Sequence, residues 1–178
     1  MFDLEAFVED CKTAVRRDPT HGAVADILKD AMSDPSGVMA ALGEPTTGGL
    51  NAIYKSPELT ILNVVWRPEM VVPAHDHSMW AVIGIYTGRE DNIFWRRLKD
   101  DPKGRIEAAG AKALATGDVT PLGKDVIHSV VNPIDRYTGA LHIYGGDFFE
   151  AERLEWEAEG LTARPWDPER AKALFADG

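Results

Sequence analysis

Along the first forty residues the apolar positions recur every three or four places. Leu4, Phe7, Val8, Cys11 and Val15 form one stripe, and Val24, Ile27, Leu28 and Ala31 form another after the turn "DPTHG". This spacing predicts two amphipathic helices. A third, shorter helix is punctuated at both ends: Asp34 can cap it, Pro35 suits its first turn, and Gly43 followed by Pro45 stops it.

From about Asn51 the period shortens. The segments "LTILNVVW", "WAVIGIY", "NIFWRRL", "DVIHSVV" and "GALHIYG" are apolar, brief, and separated by Pro, Gly and charged turns, which is how strands read. No crossover helix interrupts residues 50 to 150, so an antiparallel barrel or sandwich is expected rather than a parallel sheet. Beyond it, "FFEAERLEWEAEG" carries Glu152 and Trp156 at helical spacing, and "WDPERAKALF" opens on a capping Asp167 and Pro168. The expectation is a single mainly β domain over residues 1–178, with helices over 1–48, a β-barrel over 49–149 and a helical segment over 150–178.

Composition narrows the partners. A chain of 178 residues with 44% hydrophobic content can bury one sizeable core. A formal net charge of −10 argues against nucleic acid and against an anionic membrane surface, because both reward clustered Lys and Arg. A small molecule is the better fit, and oligomeric state is left open. Cys11 is the single cysteine, so no intramolecular disulfide forms. The start "MFDLEAFVEDCK" is acidic where a signal peptide needs positive charge, and no apolar run approaches the ~18 residues of a membrane span. A cytoplasmic protein is expected.

The candidate chemistry lies in "PAHDHSMW". Residues i and i+2 of a strand share a face, so His75 and His77 project together, roughly 6–7 Å apart along the backbone. His128, in "PLGKDVIHSVVN", lies on a different short strand that barrel closure can bring opposite them. Each alone reads as a strand-edge or hydrogen-bonded core histidine. Together they offer three neutral imidazoles to one ion and leave coordination positions open, as catalytic metal sites require.

These residues also carry a resemblance. "EMVVPAHDHSMWAVIGIYTG" and "GDVTPLGKDVIHSVVN" resemble the two motifs of the cupin superfamily, the double-stranded β-helix or jelly-roll barrel, through His75, His77 and Gly88 and through Gly117, Pro121, Gly123, His128 and Asn132. The order of helices, barrel and then "ALHIYGG" looks like the cysteine dioxygenase type of thiol dioxygenase. That resemblance implies Fe(II) held by His75, His77 and His128, with O2 as co-substrate and a small thiol converted to its sulfinic acid. Other divalent metals suit the same ligands.

The likeness has departures. The general cupin motif sets a glutamate ligand five residues past the second histidine, where this chain has Val82, so the three-histidine type is implied. Animal cysteine dioxygenases align a cross-linking cysteine at the same Val82, and no such link is expected here. Their Ser, His and Tyr at alternate positions correspond to Ala140, His142 and Tyr144, which keeps the imidazole and the phenol as candidate catalytic residues and loses the serine. Their carboxylate-binding arginine lies upstream of the metal motif, where residues 48 to 66 offer only Lys55.

Arg89, Arg96 or Arg97 can replace that clamp, since a guanidinium binds a carboxylate in bidentate fashion, although the segment also reads as a charged turn and a solvent-facing strand. Trp66, Trp80 and Trp95 read mainly as core, with at most one lining the pocket. Trp80 and Val82 complete the candidate substrate-binding set. Cysteine and mercapto-acids are equal candidates as substrate. The competing functions are a cupin enzyme of another class, such as a lyase, an isomerase or a non-thiol oxygenase, and a non-catalytic ligand-binding barrel.

Overall fold

The computed structural model describes residues 2 to 176. Its first third is helical where the spacing places helices: α1 (Leu4–Arg17), α2 (Gly22–Met32) and α3 (Pro35–Leu42). Two of the starts have a side-chain cause. Asp3 accepts from the Ala6 N–H and Asp34 from the Gly37 N–H, both at 3.0 Å, satisfying donors that the first turn leaves free.

The strands follow as β1 (Gly49–Lys55), β2 (Thr60–Trp66), β3 (Val71–Asp76), β4 (Ala81–Thr87), β5 (Arg89–Arg97), β6 (Ile106–Ala115), β7 (Val119–Leu122), β8 (Ile127–Val131), β9 (Thr138–Tyr144), β10 (Leu154–Trp156) and β11 (Ala163–Pro165), before a last helix, α4 (Pro168–Phe175). Among the described residues they form two antiparallel sheets, ordered β1-β2-β9-β4-β7 and β11-β10-β3-β8-β5-β6. The pairing is nested: β2 with β9, β3 with β8, β4 with β7 and β5 with β6. A ribbon of paired strands wound between two sheets is the jelly roll, or double-stranded β-helix. The expected fold is the one observed.

The first sheet is apolar on both faces. Its inner face joins the barrel interior through Leu62, Val64, Ile83, Ile85 and Ala140, and its outer face packs Ile61, Val82, Leu141 and Ile143 against Phe7, Val24 and Leu28 of the helices. That double burial explains why β4 and β9 read as continuous apolar runs rather than alternating ones. Each fully buried aliphatic side chain contributes about 1.5–3 kcal/mol. Gly84 sets the approach of α2, because a Cβ there would stand 2.9 Å from Met32 Cγ and 3.0 Å from Leu28. Among the described residues no helix is long and apolar enough to cross a membrane.

The tail departs from expectation. Residues 150–165 are not helical; Leu154–Trp156 is a short strand that pairs Glu155 with His75 and lines up against β11. Trp156 is fully buried with Ala74, Ile106 and Ile127, and its indole N–H donates to the Gly104 carbonyl at 2.8 Å. A single large side chain captured by the second sheet outweighs the weak helical spacing. Only α4 bears out the helical reading of this segment, with Asp167 accepting from the Glu169 N–H.

Candidate metal centre

The barrel's register assembles the histidines. β3 pairs Val72 with Val130 and then His75 with His128, so one extra residue is taken up near Pro73 and Ala74 as a bulge. Proline suits such a place because it has no N–H to give the ladder. The bulge puts His75 directly opposite His128, and His77 follows just beyond the strand's end. The side-chain nitrogens of the three lie within 4.8 Å of one another.

Local hydrogen bonds decide which nitrogens face the centre. His75 Nδ1 donates to the Pro73 carbonyl at 2.9 Å and His128 Nδ1 to Asn92 Oδ1 at 2.6 Å, which frees Nε2 on both. His128 Nε2 stands 3.3 Å from His77 Nε2. Two nitrogens each about 2.1 Å from a shared ion stand about 3.0–3.4 Å apart, so this spacing fits. Burial, with the nearby Arg153 charge, pulls His75 down to about 4 and holds His77 and His128 well below the ordinary imidazole value. All three are therefore neutral near pH 7 and need release no proton to bind a cation. The donor set fits one divalent metal.

Above the histidines lies a cavity of about 50 Å³, lined also by Trp66, His142, Tyr144, Phe148 and Arg153 and closed by Trp166, Leu174 and Phe175 from the tail. Its size admits a molecule of a few non-hydrogen atoms. Register puts His142 and Tyr144 on the inner face of β9, opposite Leu62 and Thr60 of β2. The Tyr144 ring stands 5.0 Å from that of His77, and its hydroxyl lies 3.0 Å from His142 Nδ1. Burial raises the phenol above its ordinary value, so it stays protonated.

Two partners of this site were not read from the sequence. Glu90, fully buried, accepts from His142 Nε2 at 3.1 Å, from the Trp66 indole at 2.9 Å and from Asn92 Nδ2 at 2.9 Å. It stands as His142's partner where the resemblance sets a serine, here Ala140. Arg153 lines the cavity with 6% of its surface exposed. Its guanidinium lies between Trp166, 3.6 Å from the ring centre, and Phe148, at 4.1 Å. It donates to the carbonyls of Asp76 and Phe148 at 3.1 and 3.2 Å, and its Nε has no partner. Burial pulls it down to about 10, still charged at neutral pH. Among the described residues it makes no ion pair.

No protein-family profile matches the chain. Among solved structures, a mutant oxalate decarboxylase of Bacillus subtilis is similar at 16% identity over 61% of this chain, with a TM-score of 0.45, and the chain spans 28% of that protein's length. The Cnp3 cupin domain of Schizosaccharomyces pombe is similar at 10% identity over 55% of this chain and 64% of that one, with a TM-score of 0.44. An RmlC-like cupin family protein of Methanocaldococcus jannaschii is similar at 10% identity over 58% and 84%, with a TM-score of 0.47. The strand order, not these distant likenesses, establishes the double-stranded β-helix.

The remaining substrate candidates lie elsewhere. Arg89 pairs with Asp91 at 2.7 Å and Arg96 with Glu107 at 2.7 Å, both at the surface. Arg97 pairs with Asp76 at 3.1 Å and covers the Trp156 ring outside the barrel. Strand alternation is the reason: on β5 the inward positions are Glu90, Asn92 and Phe94, which leaves Arg89 and Arg97 on the outer face, and Arg96 sits at the strand's exposed end. Val82 points into the helix-facing core, and Trp80 donates to the Pro19 carbonyl at 2.8 Å on that same side. Trp66, not Trp80, lines the cavity.

Proposed function

We propose that this protein is an Fe(II)-dependent dioxygenase that converts a small mercapto-acid to its sulfinic acid. The observation that carries the reading is a buried, charged Arg153 that has no carboxylate partner among the described residues, in the same small cavity as three neutral histidines and a protonated phenol. His75, His77 and His128 would hold the metal. Iron so bound would keep the thiol as thiolate and bring O2 beside it, with both oxygen atoms ending on sulfur.

The chain's own residues supply the rest. Arg153 binds the carboxylate at the wall, where a charge-assisted contact is strong because water is excluded. In the resting site the Tyr144 O–H is donated to His142 Nδ1, and turning it from His142 toward the reacting sulfur and oxygen would supply a proton donor there. Trp66, Phe148 and Phe175 keep the site dry. A site holding a divalent cation and a guanidinium favours a substrate with two negative charges, thiolate and carboxylate, over cysteine with its added ammonium.

Oxygen uptake by anaerobically iron-loaded protein tests this, with mercaptopropionate, mercaptosuccinate, cysteine and cysteamine as the panel. The expected result is one O2 consumed per sulfinate formed, fastest with a mercapto-acid. Silence across the panel despite bound iron would move the function to another metal-dependent reaction class or to ligand binding.

A further inference from the structure

Glu90 makes three hydrogen bonds, and all three partners present N–H groups. Trp66 Nε1 and Asn92 Nδ2 are obligate donors, so the third, His142 Nε2, meets an acceptor only if it carries its proton. From this one carboxylate two chains of bonds run outward. Along the first, Asn92 must turn its NH2 to Glu90, which leaves Oδ1 to face His128 Nδ1 at 2.6 Å. That oxygen can only accept, so His128 carries its proton on Nδ1 and bares Nε2. Along the second, with the proton held on Nε2 by Glu90, His142 Nδ1 is left to accept from the Tyr144 hydroxyl at 3.0 Å.

We infer that Glu90 is the positioning residue that fixes the tautomers of both His128 and His142. It thereby readies one imidazole as a metal ligand and aims the other's acceptor at the phenol. The metal half rests on reading His128 as a ligand. The tautomers do not depend on that reading, because the bonds that fix them are present without an ion.

The inference predicts an asymmetric failure and a specific repair. In Glu90→Gln the amide oxygen can still accept from Trp66 and His142, but the NH2 then meets the NH2 of Asn92. Asn92 turns over to relieve this and offers its N–H to His128 Nδ1, which must lose its proton to accept it. The proton moves to Nε2 and covers the lone pair a metal needs. The opposite turn of the glutamine sets an N–H against the Trp66 indole, which cannot accept. Adding Asn92→Asp repairs the chain: the introduced carboxylate accepts both from the glutamine amide and from His128 Nδ1–H, and the double variant keeps the parent's net charge.

Histidine ring 15N shifts of metal-free protein, with Fe(II) or Co(II) affinity measured by calorimetry on the same variants, test this. Expected are Nδ1–H at His128 and Nε2–H at His142 in the parent. In E90Q, His128 switches to Nε2–H and metal binds 10–100-fold more weakly, and E90Q with N92D regains both properties. An E90Q protein with the parent's tautomers and affinity overturns the inference, as does a folded double variant that regains neither. If E90Q fails to fold, the parent spectrum still decides: Nε2–H at His128 or Nδ1–H at His142 overturns it. A parent with the expected tautomers that takes up no metal upholds the inference and sinks the metal reading instead.

Discussion

Replacing Arg153 by methionine separates substrate recognition from scaffolding. The variant keeps an apolar stem but ends short of the guanidinium carbon that lies against Trp166 and Phe148, and it removes the charge and the donors to the Asp76 and Phe148 carbonyls. Two hydrogen bonds from a charged donor are lost, at about 1.5–3 kcal/mol each, together with up to ~2 kcal/mol per ring contact. Relief from burying a guanidinium returns several kcal/mol and offsets much of that loss.

The substrate effect is larger. Removing one partner of a buried charge pair costs about 2–5 kcal/mol, which is roughly 30- to 5000-fold in kcat/KM at 1.36 kcal/mol per tenfold. Mercaptopropionate turnover should fall by that factor, whereas propanethiol, with no carboxylate, should change less than about threefold. Paired oxygen-uptake assays on the two thiols, with thermal melts to confirm folding, measure the difference. An equal fall for both thiols, or no fall for the acid, would refute the carboxylate role.

The other predictions touch chemistry, pH and packing. Tyr144→Phe should bind metal as the parent does but oxygenate thiol about 10- to 100-fold more slowly, read in single turnovers; full activity removes the phenol from the account. Metal-free protein should lose stability as pH falls from about 6.5 towards 4, because His75, His77 and His128 take up protons more readily unfolded than folded. His75 alone contributes up to about 1.4 kcal/mol per pH unit in that window, and denaturant midpoints that stay flat there contradict the burial argument. Gly84→Val should destabilise by about 1–3 kcal/mol, since its side chain would displace Met32 and Leu28 of α2, and a melting temperature within about 1 °C of the parent would contradict this.

The clustering of the three histidines was legible because an H-x-H at a strand end sets two imidazoles close together, and the third follows from barrel closure. His142 and Tyr144 yielded to strand parity. Glu90 and Asn92 obey it too, at alternate positions of β5, but the flanking Arg89, Asp91, Arg96 and Arg97 make the segment read as a solvated turn. Arg153 carried no local signal. It reaches the cavity only because the tail folds back over the barrel mouth, a long-range event that short spacing does not encode. The strand β6, "IEAAGAKALA", was likewise silent, since an edge strand exposed through most of its length needs no alternating apolar face.

The central claim is that one ion sits on His75, His77 and His128. Anomalous diffraction at the metal edge from crystals grown with Fe(II) measures this most directly. The account predicts a single peak within bonding distance of the three Nε2 atoms, and its loss in His128→Ala. A peak at another place, or none at saturating metal, would contradict it.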